Sequence, residues 1–297
     1  MENLKYLENC ELCPRKCKVN RINGEKGFCN AIGKDVKQAR IGIHYYEEPC
    51  ISGSSGSGTV FFTGCNLRCK FCQNYEISWE GKGEEISIEE LAYKMLELQK
   101  EGANNINFVT GFMYIPQIIE AIKLSRKYGL NIPIVYNSSG YENVESLKLL
   151  EGYIDIYLPD FKYYYNDLSV RLSNVKDYYE IATDAIKEMI RQQPINIYDE
   201  DGIMKKGVII RHLVLPNHIQ NSKQVLKTIK NKFGKSVYVS IMAQYFPTYK
   251  ANEIEDINRK LTEEEFEDIE NFVYNLDLKN GYIQYLEDNE EKYVPKF

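Results

Sequence analysis

This 297-residue chain contains no run of eighteen apolar residues, so nothing in it reads as a membrane span. Its opening residues, Met1-Glu2-Asn3-Leu4-Lys5-Tyr6, lack the apolar core of a secretory signal. The expectation is a cytoplasmic protein, in a compartment where thiols stay reduced and serve as metal ligands or catalysts. A positive charge excess is missing as well. The 37 Lys and Arg stand against 43 Asp and Glu, a formal net charge of −6, which argues against a general nucleic-acid binder. Histidine is scarce, with His44, His212 and His218 making up the whole supply. The disulfide framework of a small secreted chain is absent too. Eight cysteines are present, but seven fall in two tight clusters, which favours metal.

The run Gly64-Cys65-Asn66-Leu67-Arg68-Cys69-Lys70-Phe71-Cys72 packs three thiols into eight residues with no fourth cysteine nearby. A [4Fe–4S] cluster normally takes four thiolates, so three would leave one iron open to bind and reduce something else. The alternative is a zinc site completed by His44, His212 or His218. The second set, Cys10, Cys13, Cys17 and Cys29, has enough ligands for a closed site, either zinc or an auxiliary [4Fe–4S] cluster. Little around it is periodic, so residues 1–45 read as a cysteine-rich element stabilised by its metal. Cys50 is unassigned and reads as a buried small hydrophobe.

Charge is uneven along the chain. Residues 1–40 hold nine basic against five acidic residues, and residues 251–297 hold five basic against fourteen acidic. Two solvated faces are the simplest reading. Hydrophobic residues at 43% are ordinary for a globular protein of this size. The Ser52–Gly58 stretch reads either as a linker or as a close-approach turn beside the cluster, and it could narrow the mouth of a barrel.

From Thr59 onward, strand and helix signals alternate. Strands are expected at 59–63, 106–110, 132–136, 153–158, 208–215 and 237–242. Helices are expected at 87–100, 115–128, 144–150, 178–191, 221–232 and 261–274, the first opened by a Ser87/Glu90 capping box. Asp199–Gly202 looks like a hairpin turn, and the tail returns through Tyr282-Ile283-Gln284. Six strands alternating with helices imply an α/β fold with a parallel sheet, an open or partial (β/α)6 TIM-like barrel. It would occupy residues 46–297, with a helical extension at its C-terminal end.

The C-x3-C-x2-C spacing after a strand, with aromatic Phe71 before the third cysteine, resembles the signature of the radical S-adenosylmethionine (SAM) superfamily. That family is built on a partial (β/α)6 barrel, and the resemblance covers roughly residues 59–250. Cys65 to Trp79 is similar to the cluster loop of pyruvate formate-lyase activating enzymes. The whole chain resembles their activating-enzyme-like iron–sulfur relatives, including the N-terminal cysteines. The resemblance implies a cytoplasmic enzyme in which a cluster on Cys65, Cys69 and Cys72 reductively cleaves SAM to methionine and a 5′-deoxyadenosyl radical. The radical would abstract hydrogen from a glycyl-radical enzyme, another peptide or a small molecule, with a flavodoxin- or ferredoxin-type reductant supplying the electron.

It also implies Phe71 against adenine, Lys162 on the SAM carboxylate, Asp160 at a nearby cation, Arg211 near SAM, and Asn137 and Ser138 near the ribose. The family's Gly-Gly-Glu is replaced by Val109-Thr110-Gly111-Phe112, leaving Thr110 and backbone groups to meet the SAM amino group. Asn137 stands where an aspartate is expected. No histidine lies near Gln244-Tyr245-Phe246, where the activating enzymes have one. His212 reads as packed or solvent-facing rather than catalytic, since alternation sets it opposite Arg211, and Tyr163 to Tyr165 read as packing. The rival from another class is an iron–sulfur or zinc binding module without SAM chemistry, with the missing glutamate as its support.

Overall fold

A computed structural model describes residues 2–278, 280–286 and 297. Two short 3-10 turns, Glu2–Leu7 and Arg21–Asn23, punctuate the cysteine-rich N-terminus. β1 (Val36–His44), a short helix α1 (Pro49–Ser52) and β2 (Ser57–Phe62) follow. After the cysteine loop come α2 (Tyr75–Ser78), β3 (Glu84–Ile86) and α3 (Ile88–Lys100). Then β4 (Ile106–Val109), α4 (Ile115–Lys127), β5 (Ile134–Ser138), α5 (Val144–Leu149) and β6 (Ile156–Pro159) alternate. α6 (Asn166–Ser173) and α7 (Tyr178–Gln192) precede β7 (Ile197–Tyr198) and β8 (Met204–Leu213), which pair as the expected hairpin. α8 (Ile219–Phe233), β9 (Tyr238–Met242), α9 (Glu263–Leu276) and β10 (Gly281–Gln284) complete the described chain.

The sheet runs β10-β9-β8-β6-β5-β4-β2-β1-β3. From β2 to β10 every neighbouring pair is parallel, and β2, β4, β5, β6, β8 and β9 are the six strands legible in the sequence. The fold is therefore α/β with a mostly parallel sheet, the open arrangement of a partial barrel. Antiparallel β1 and β3 extend one edge and parallel β10 the other, and none of these three pairings was read from the sequence.

Alternation along each strand divides the interior in two. Val60, Phe62, Phe108, Tyr136, Tyr157 and Ile210 face the helices and join the main core. Val135, Ile156, Leu158 and Ile209 face inward, where Cys50, Ile51 and Met204 pack against them. Helix α1 is thus a plug inside the lower end of the barrel. α3 buries Ile88, Leu91, Met95 and Leu98 on one face, and the Ser87 hydroxyl accepts from the Glu90 N–H at its start. The reciprocal capping box forms instead at Thr262 and Glu265 of α9.

The Ser52–Gly58 stretch is neither a linker nor a neighbour of the cysteine loop. It links the plug to the N-terminal end of β2, held by Asn104 Nδ2 on the Ser52 carbonyl at 2.6 Å and Asn105 Nδ2 on the Ile51 carbonyl at 2.8 Å. It therefore cannot narrow the mouth, which lies at the other end of the strands. Residues 287–296 of the acidic tail lie outside the described residues. Among the described residues, no helix is long and apolar enough to cross a membrane.

Candidate functional site

A pocket opens at the C-terminal ends of the parallel strands, where ligands bind in such sheets. Cys65, Cys69 and Cys72 line it together with Phe71. Strand ends contribute Thr110 after β4, Asn137 and Ser138 from β5, Asp160 and Lys162 after β6, and Arg211 from β8. The structure thus gathers all ten residues that sequence and resemblance associate with the SAM cluster and its ligand.

The cysteine loop is held from below. Thr63 N–H donates to the Lys37 carbonyl, Gly64 N–H to the Ile77 carbonyl, and Trp79 Nε1 to the Cys69 carbonyl at 3.1 Å. Arg68 takes a left-handed φ of 54°, which turns the loop between its first two cysteines. The sulfurs have hydrogen-bonding neighbours that sequence reading missed. Ser173 Oγ donates to Cys69 Sγ at 3.0 Å, Tyr163 OH lies 2.6 Å from Ser173, and Ser78 Oγ lies 3.2 Å from Cys72 Sγ.

Burial pushes all three thiols up, Cys72 to about 12, and neighbouring Lys162 partly offsets this at Cys65 and Cys69. Metal binding would displace these protons. Among the described residues no three Cys, His, Asp or Glu side chains converge on one metal-ion position. Neither nitrogen of His212 is free for metal. Nδ1 lies 2.7 Å from the Phe161 carbonyl and Nε2 2.8 Å from Ser222 Oγ. His218 pairs with Asp256 at 2.8 Å and does not line the pocket. Three thiols on one loop, two of them met by a hydroxyl, with a buried lysine beside them, fit an iron–sulfur cluster with one open iron.

Beside the thiols lies a buried ion network. Asp160 receives Lys162 Nζ at 2.5 Å and Arg211 Nε at 3.1 Å, a pairing the sheet prepares by setting Asp160 opposite Arg211. Burial opposes ionisation of Asp160, but Lys162 and Arg211 outweigh it and hold the carboxyl below its ordinary value. Lys162 is raised despite burial, through Asp160 and Cys69. Arg211 Nη2 donates to Asn137 Oδ1 at 2.6 Å, so the asparagine found in place of the family's aspartate is engaged by a cation of the protein itself.

Sequence reading passed over Glu47 and Glu48, whose side chains enter the pocket. Glu47 Oε1 accepts from Asn107 at 3.0 Å, and Oε2 meets Arg211 at 3.2 Å. Burial raises both carboxyls, with Arg211 opposing. The segment also brings His44 and Tyr46 to the wall shared by Gln244 and Phe246. His44 is held neutral, lowered to about 4 by burial and by Arg40. The one available signal was two acidic residues directly before a proline and an apolar pair, Glu47-Glu48-Pro49-Cys50-Ile51.

A family model described as Radical SAM superfamily matches residues 59–199. An uncharacterized protein of Methanocaldococcus jannaschii is 37% identical over 280 residues, which cover 92% of this chain and 77% of that protein. The pyruvate formate-lyase-activating enzyme of Clostridium pasteurianum is 30% identical over 131 residues, 42% of this chain and 54% of that enzyme. The solved structure of tagged anSMEcpe with bound AdoMet has a TM-score of 0.51 at 16% identity, covering 76% of this chain and 62% of that one. That likeness concerns the fold alone. The sequence relationships, the parallel sheet and the three-thiol pocket agree: this chain belongs to the radical SAM superfamily, whose members use a [4Fe–4S] cluster and SAM.

Proposed function

We propose that this protein is an activating-enzyme-like radical SAM enzyme that cleaves SAM reductively and uses the radical to take hydrogen from a protein or peptide substrate. The observation that carries the reading is one pocket holding three thiols and no fourth cysteine and, beside them, a buried ammonium–carboxylate pair. Cys65, Cys69 and Cys72 would hold the cluster, which when bound supplies the electron that breaks the bond from sulfur to the 5′ carbon of SAM.

The protein's own groups bind and orient. Lys162 offers an ammonium to the SAM carboxylate, and Asp160 fixes where that ammonium points. Asn137 would lie toward the ribose with the backbone of Ser138, whose hydroxyl is given to Glu142, and Thr110 would meet the amino group and Phe71 the adenine. Burial of the loop excludes water from the radical's surroundings. The partial relationship to a pyruvate formate-lyase-activating enzyme supports a glycyl-radical enzyme as substrate. The electron donor would be a flavodoxin- or ferredoxin-type carrier.

A second reading, a smaller substrate, is favoured by the segment that carries Tyr46, Glu47 and Glu48 into the pocket. The test is anaerobic reconstitution followed by SAM and dithionite. Formation of 5′-deoxyadenosine is expected, and a protein that binds iron but forms none overturns the proposal. Adding glycyl-radical enzymes from the same cell separates the two substrates. A carbon-centred doublet on the partner supports activation, and SAM cleavage without it turns the search to another peptide or the smaller substrate.

A further inference from the structure

The other four clustered cysteines line a second pocket directly behind the cysteine loop. Cys10, Cys13, Cys17 and Cys29 share it with Arg21, Phe28, Phe112 and Met113. The chain curls around it through Cys10 N–H on the Val19 carbonyl at 3.0 Å and Lys18 N–H on the Cys10 carbonyl at 2.9 Å. Phe28 N–H approaches Cys17 Sγ at 3.5 Å.

Two observations identify what the pocket takes. Arg21 is 1% exposed, and its Nη1 donates to the Met113 carbonyl at 2.5 Å. Its Nε and Nη2 are buried without a hydrogen-bond partner. A buried guanidinium with two idle donors is costly unless an anion faces it. Four thiolates around a 2+ centre supply one. The second observation is the site's position: Arg68 and Arg15 tie its wall to the SAM-site cysteine loop through the Phe28 and Asn66 carbonyls. A redox-active cluster has a use beside another cluster, and redox-inert zinc has none.

We propose that Cys10, Cys13, Cys17 and Cys29 hold an auxiliary [4Fe–4S] cluster, with Arg21 as its counter-charge, adjacent to the SAM-cleaving cluster. Four thiolates leave no open iron, so the auxiliary cluster binds no substrate, and one-electron transfer is the chemistry left to it. The two sites share a wall. Gly64, the residue before Cys65, has no room for a Cβ against the Cys29 carbonyl. Arg68 of the loop donates to the Phe28 carbonyl at 2.6 Å, and Arg15 of the N-terminal element donates to the Asn66 carbonyl at 2.6 Å.

Cys17 is exposed between exposed Lys16 and Lys18, which suits docking of an acidic electron carrier. A cluster held by these four cysteines would accept one electron from a reduced ferredoxin- or flavodoxin-class carrier and hand that electron on to a cluster held by Cys65, Cys69 and Cys72, with no proton or group moved. The relay rests on the proposed SAM cleavage, whereas the auxiliary cluster itself does not.

The test is metal analysis and spectroscopy of the full chain. Reconstituted wild type should contain about eight irons and eight sulfides and no stoichiometric zinc. The triple variant Cys65→Ala/Cys69→Ala/Cys72→Ala should keep about four of each, stay brown and give an S = 1/2 signal on reduction that ignores SAM. Reduced wild type should show lines broadened by the second spin relative to that variant. About one zinc with about four irons in wild type overturns the proposal, even if the triple variant does not fold. Two independent, unbroadened spectra overturn the adjacency. SAM that is never cleaved, with the triple variant still brown, overturns the proposed function and leaves the auxiliary cluster standing.

Discussion

At the scale of single residues, Lys162 shows how a site side chain is prepared before its ligand arrives. Its ammonium is buried, held by Asp160 at 2.5 Å and kept charged despite desolvation. Lys162→Ala should weaken SAM binding about tenfold or more, the size of one charge-assisted contact, while iron content stays unchanged. Calorimetric titration of SAM into reconstituted protein decides this. Wild-type affinity in the variant would reduce the pair to a structural ion pair.

Glu142 makes a second residue-scale prediction. Burial raises its carboxyl to about 7, although Ser138 donates to it at 2.6 Å. The folded state therefore holds a proton that the unfolded chain releases near pH 4.5. That stabilisation is complete below the unfolded value and disappears as pH rises through about 7. Glu142→Gln should match wild type near pH 4 and exceed it above pH 8, by roughly 2–3 kcal/mol. Urea unfolding at both pH values measures the difference, and parallel pH profiles for the two proteins would refute the assignment.

Elements explain what the sequence could and could not disclose. The parallel strands carry unbroken apolar runs, such as Val60-Phe61-Phe62 and Val208-Ile209-Ile210, because both their faces are covered. β1 was hidden because buried Gln38 is polar and an irregularity between Gln38 and Arg40 breaks its alternation. β10 showed only as a return of the tail through Tyr282-Ile283-Gln284, because four residues are too short to show a period. α6, only eight residues long, follows three tyrosines that gave no helical signal. The cysteines were legible because their spacing is local. Glu47 was not, because its role depends on a plug helix that turns an ordinary acidic pair into the barrel.

The turn after β5 carries an element-scale prediction. Gly140 has φ 78°, and a Cβ there would overlap the Asp160 carbonyl. Gly140→Ala should push the strand-end segment bearing Asp160 and Lys162 away from the pocket. Weaker SAM binding is expected, with the cluster's iron retained. Unchanged SAM affinity would show that the two turns move independently.

On the scale of the whole molecule, the N-terminal element is fastened to the barrel by side-chain contacts and not by shared regular structure. Between Leu7 and Val36 the described regular structure is the single turn Arg21–Asn23. Fastenings to the barrel include Asn143 Nδ2 on the Glu11 carbonyl at 3.0 Å, the Arg15, Arg21 and Arg68 bonds, and the buried side chains of Leu7 and Leu12. Each hydrogen bond contributes about 1 kcal/mol net, whereas ordering backbone costs about 1–2 kcal/mol per residue. Some thirty residues without a helix or strand cannot be held on those terms, so metal binding must supply the difference. Removing metal by oxidation and chelation should open trypsin sites at Lys16, Lys18, Lys26 and Lys34, while residues 57–276 stay protected by the sheet and its helices. Mass spectrometry of the digest reads the boundary directly. An N-terminus that resists the protease without metal would mean that the fastenings suffice and that the cysteines there have another use.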